Sequence, residues 1–96
     1  MSVESAKAFC VCMMSDEDFR NAIGSAASVE AISELMKAEN YDFTLEELLR
    51  VIGELMGDSL TLNELKELLK EVYEEQVAEK GEAYTKNLCG WLDTLA

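Results

Sequence analysis

The chain has 96 residues, 49% of them apolar, with 20 acidic against 8 basic side chains, no histidine and a net charge of −12. Such a length is one domain's worth, able to bury roughly 60–65% of the surface its unfolded chain exposes. The charge argues against direct binding to nucleic acid, where Lys and Arg must neutralise phosphates, and equally against anionic membrane surfaces; an acidic surface suits solubility or attraction to a basic groove.

There is no run of eighteen apolar residues and no basic stretch leading an apolar one, so neither a transmembrane helix nor a secretory signal is expected. Three cysteines cannot all pair within one chain, which fits a reducing compartment. A cytoplasmic location is the expectation.

With no proline, five glycines and no period-two run, the chain reads as a string of helices. The first spans about 3–14 behind Ser2, with Val3, Ala6, Phe9, Cys10 and Met13 on one side. A short second helix is expected after a cap at Ser15. Asp16, Glu17 and Asp18 complement its positive end, Phe19 and Ile23 form its buried pair, and Gly24 stops it. A third follows Ser28 and carries Val29, Ile32, Leu35 and Met36; Asn40, which tolerates the left-handed conformation, ends it.

The next two starts use the same phrase. Phe43-Thr44-Leu45-Glu46-Glu47-Leu48 returns as Leu60-Thr61-Leu62-Asn63-Glu64-Leu65. Thr44 with Glu47, and Thr61 with Glu64, read as capping boxes in which each side chain satisfies a free backbone N–H of the other. Phe43 with Leu48, and Leu60 with Leu65, read as their hydrophobic staples. The fourth helix is expected over about 45–56, ending at Gly57, and the fifth over about 62–79 with Leu62, Leu65, Leu69 and Val72 on its stripe. Beyond Gly81, which either breaks or bends the chain, Tyr84, Leu88, Trp91, Leu92 and Leu95 share one face. The expectation is an all-α, compact array of five or six short amphipathic helices. Residues 1–57 and an extension over 58–96 pack as one domain, with the soft boundary at 57–61.

The chemistry is sparse. Cys10 and Cys12 stand about 200° apart on a helix and cannot grip one ion together. With Cys89 as the third thiol and no histidine, no metal or other cofactor is expected. Calcium is set aside because the EF-hand pattern D-x-[DN]-x-[DN]-G with its later Glu is absent. The acid pairs read as a solvated face rather than catalytic carboxylates, so an enzyme is not expected. The face formed by Tyr84, Leu88, Trp91, Leu92 and Leu95 reads as core or as a surface for a partner or a second copy.

Ser2, Phe9, Asp16, Phe19 and Ile32, followed by Ala38-Glu39-Asn40-Tyr41-Asp42-Phe43-Thr44-Leu45-Glu46-Glu47-Leu48, resemble the Nif-eleven domain, with Asn40 where that family usually has Gly. The resemblance covers roughly residues 1–50. It implies either a small protein associated with nitrogen-fixation genes or the leader region of a ribosomally made, modified peptide precursor. Leu60-Thr61-Leu62-Asn63-Glu64-Leu65 is similar to the acidic stretch of such leaders, yet Lys66-Glu67-Leu68-Leu69-Lys70 follows it, with no Gly-Gly or Gly-Ala. The leading expectation is a non-enzymatic protein that binds another protein, one with a basic or apolar groove, and functions at full length. The alternative is the precursor leader.

Overall fold

The computed structural model describes residues 2–95, and of Glu82 the backbone alone. Seven α-helices follow one another: α1 (Val3–Ser15), α2 (Glu17–Gly24), α3 (Val29–Ala38), α4 (Leu45–Met56), α5 (Leu62–Val72), α6 (Glu74–Lys80) and α7 (Lys86–Leu95). A short 3-10 turn, Glu82–Thr85, precedes α7. The described residues contain no strand, and none of their helices is long and apolar enough to cross a membrane.

Local chemistry starts most of these helices where the sequence places them. The Ser2, Ser28, Thr44 and Thr61 side chains each accept the backbone N–H three residues on, and both threonines complete their boxes with Glu47 and Glu64. The cap at Ser15 is a correction. Ser15 is the last residue of α1 and turns its hydroxyl to the Val11 carbonyl, while Asp16 accepts from the Phe19 N–H. Asp is as good a cap as Ser, and Asp16 is the one aligned with the N–H three residues ahead.

Helix ends follow the same logic. Asn40 sits at φ 60° beyond α3; its N–H bonds the Lys37 carbonyl and the Tyr41 N–H bonds the Met36 carbonyl, which is a Schellman closure. Arg20 reaches back from α2 to the Met13 carbonyl at 2.9 Å, satisfying the open end of α1 and fixing the angle between the two helices.

The count of five or six helices is also corrected, because the segment expected as one helix over 62–79 is two. Tyr73 interrupts it: fully buried, it donates its hydroxyl to the Arg20 carbonyl at 2.6 Å. Val72, expected on the stripe, ends α5 47% exposed, while Tyr73, four residues on from Leu69, takes the buried place. Gly24 makes room for it, since a Cβ there would lie 2.5 Å from Cε1 of Tyr73. Gly81 breaks the chain rather than bending it, with φ 97° between α6 and the 3-10 turn.

One core joins all of this. Phe9 of α1 is its centre, with ring centroids 6.2 Å from Phe19, 5.9 Å from Tyr41, 5.3 Å from Phe43 and 6.1 Å from Trp91. Leu65, Tyr73, Leu88 and Leu92 belong to the same cluster as Ala6, Ile23, Ile32 and Leu48. α1 packs on α2 and α4, and α7 packs on α3, where a Cβ at Gly90 would meet the Val29 side chain at 3.2 Å. The radius of gyration, 12.5 Å, matches the ~12–13 Å of a compact chain of this length.

Candidate functional site

The face of the last segment lies mostly inside the protein. Leu88 and Leu92 are each 1% exposed and Trp91 5%. Tyr84 falls in the 3-10 turn rather than on α7, packed against Tyr73 at 5.7 Å with the Lys80 ammonium over its ring. Leu95 lines the groove beside α4, and with Trp91 it lines a second hollow. Of the two readings of the stripe Tyr84, Leu88, Trp91, Leu92 and Leu95, core or surface, its centre follows the first: α2 and α3 cover Leu88, Trp91 and Leu92. The four cap residues Thr44, Glu47, Thr61 and Glu64 are occupied at their helix starts by bonds of 2.9–3.2 Å.

A different surface is opened by α4. Gly57 takes the left-handed conformation at φ 73°, and the Asp58 N–H bonds the Gly53 carbonyl, so the chain folds back over the helix that it has just left. Gly53 permits this approach, because a Cβ there would lie 2.8 Å from the Asp58 carbonyl oxygen. The returning segment, the flank of α4 and the end of α7 enclose an open groove of about 1130 Å³. Leu45, Leu49, Leu60 and Leu95 give it apolar walls, and Glu46, Glu54 and Asp58 give it an acidic rim. Arg50 is the basic residue of the rim and is shared with Glu54 at 3.9 Å. Leu95 also lines a second hollow of about 490 Å³ against Tyr41, Phe43 and Trp91, so the two meet at that side chain. A third, of about 560 Å³, gathers Lys66, Lys70, Lys86 and Cys89, but Lys66 is held by Asp93 at 2.6 Å and Lys70 by Glu67 at 3.5 Å.

The family model of the Nif11 domain matches residues 1–48. The chain belongs to the Nif11 (Nif-eleven) family. Comparisons with curated proteins and with solved structures gave no match. The Nif11 match takes in α1, α2, α3 and the first turn of α4, and ends at Leu48, which is buried in the same core as Phe43. Three of the four apolar walls of the main groove, Leu49, Leu60 and Leu95, lie beyond that limit. The groove is thus made jointly by the Nif11 segment and by the residues that follow it.

The cysteines are free: Cys10 is buried in the Nif11 core, and Cys12 and Cys89 are half-buried. Burial pushes the Cys10 thiol up to about 11, and it raises Cys89 too, against the opposing pull of Lys66 and Lys70. A thiol held protonated at neutral pH is a weak nucleophile and a weak metal ligand. Among the described residues no group of three or more Cys, Asp and Glu is placed to hold a metal ion. Tyr41 is raised to about 12, by burial first and by its hydrogen bond with the Cys12 side chain second. Tyr73 is raised further still, again by burial.

Proposed function

We propose that this Nif11 protein acts as a folded, non-catalytic binding partner of another protein, in the setting of nitrogen fixation or of peptide maturation. The observation that carries the reading is Trp91, whose ring lies 6.1 Å from both Phe9 and Phe43. A precursor's cargo must stay open to modifying enzymes. Here residues 62–95 supply Leu65, Tyr73, Leu88, Trp91 and Leu92 to the core instead. Extracting five such side chains would cost about 1.5–3 kcal/mol each, which opposes their presentation as a loose tail. The acidic exterior suits attraction to a basic partner and supports a binding role.

The test is the intact mass of the chain isolated from its own cell, together with a partner that co-purifies in fixed ratio. An unmodified mass extending through residue 95 with a stoichiometric protein partner is expected. A cut after about residue 66 or 90 would replace this reading with the precursor leader.

A further inference from the structure

We infer that the groove between α4 and the 57–60 return is the docking site, and that its occupant is a basic amphipathic helix of another protein. The inference rests on the binding role proposed above and adds to it a place and a partner chemistry.

Two features of the groove select the occupant. Its walls are leucines from three separate segments, Leu45 and Leu49 on α4, Leu60 on the return and Leu95 on α7, which is the composition that accepts the apolar stripe of a helix. Among the described residues its rim carries Glu46, Glu54 and Asp58 against one cation, Arg50, itself shared with Glu54. A helix with leucine-like side chains on one face and Lys or Arg on its shoulders satisfies both at once. A second copy of this chain does not, because each copy brings a net charge of −12. Across an interface such like charge is screened only beyond ~8 Å at physiological salt. Met36, Phe43 and Trp91 continue the apolar floor past Leu95, so a bound helix ends beside the one tryptophan of the chain. The groove also differs from the lysine-lined hollow, whose Lys66 and Lys70 are already neutralised by their own acids.

The probe is a synthetic helix of about eighteen residues, some five turns, with leucines on one face and lysines on the other. The same peptide with glutamates for the lysines is the control. Binding to the full chain is followed by calorimetry and by Trp91 fluorescence. The lysine peptide is expected to bind one to one with a change in Trp91 emission, and the glutamate peptide not to bind. Two charge-reversed proteins then locate the contact. Glu46→Lys/Glu54→Lys changes the rim, and Glu74→Lys/Glu79→Lys changes α6. Each substitution adds two charges, so both proteins go from −12 to −8, and each pair takes one acid from a helix's first turn. The rim pair is expected to weaken binding by about tenfold or more, and the α6 pair by only about twofold. Leu49→Gln, with its circular dichroism unchanged, is expected to weaken it comparably to the rim pair. Equal losses from the two pairs, binding without a Trp91 response, or no binding of the lysine peptide would overturn the site. None of these would bear on the co-purification test of the binding role.

Discussion

The junctions at Thr44 and Thr61 are written in nearly the same letters and start their helices in the same way, yet they sit at different depths. At the first, Phe43 lies 5.3 Å from Phe9 and 6.1 Å from Trp91 by ring centroids, and Leu48 is 1% exposed. At the second, Leu60 is half-buried on a groove wall, Thr61 is exposed, and Leu65 alone enters the core. Six letters are enough to dictate a helix start, because the capping bonds span only three residues. What the start is worth depends on the tertiary surroundings, which those letters do not encode.

Truncating the two staples should separate the junctions most strongly. Phe43→Ala should cost about 3–5 kcal/mol, as a buried aromatic does. Leu60→Ala should fall below the about 2 kcal/mol lower bound for buried leucines. Urea unfolding of both variants measures this, and equal losses would mean that the second junction is as deep as the first. Gly24→Ala probes the anchor that the second half uses in place of a deep staple. The added Cβ meets Tyr73 and Tyr84 at 2.5 and 2.9 Å, so overpacking should cost about 1–3 kcal/mol, whereas Gly57→Ala meets no atoms and pays only for its left-handed φ.

The caps themselves carry smaller effects. Thr44→Ala and Thr61→Ala should each lose about 0.5–2 kcal/mol, with Thr44 nearer the upper end because its bonds are partly shielded from water. Thr→Ser should be nearly silent in thermal melts at both positions. The smallest effect at neutral pH is electrostatic and belongs to the first junction. Cys10 rises from 9.0 to about 11 and Tyr41 from 10.0 to about 12. Below the ordinary values both folded and unfolded chains hold these protons, so stability is flat there. As pH climbs past 9 the unfolded chain releases protons that the folded chain keeps, and stability falls until the folded groups ionise as well. Urea midpoints from pH 7 to 11 should show this decline, and Cys10→Ala should delay its onset.

The helix starts at Ser2, Ser28, Thr44 and Thr61, and the exit at Asn40, are legible because donor and acceptor lie within five residues of each other. The choice of Asp16 over Ser15 is harder, since two good caps stand side by side. The break at Tyr73 is not legible, because its cause is a hydroxyl bond to Arg20, 53 residues away. The stripe Tyr84, Leu88, Trp91, Leu92 and Leu95 is visible as apolar, but its burial is decided by α2 and α3. The groove is hidden in another way: its sequence signal is only the pair Gly53 and Gly57, one permitting close approach and the other the left-handed turn.

Residues 58–95 complete the core that residues 1–57 begin. The direct test of this is urea unfolding of fragment 1–57 beside the whole chain, followed by far-ultraviolet circular dichroism. Without Leu65, Tyr73, Leu88, Trp91 and Leu92, the fragment is predicted to lack a cooperative transition, while the whole chain unfolds in one. A fragment that unfolds cooperatively with the midpoint of the whole chain would contradict it.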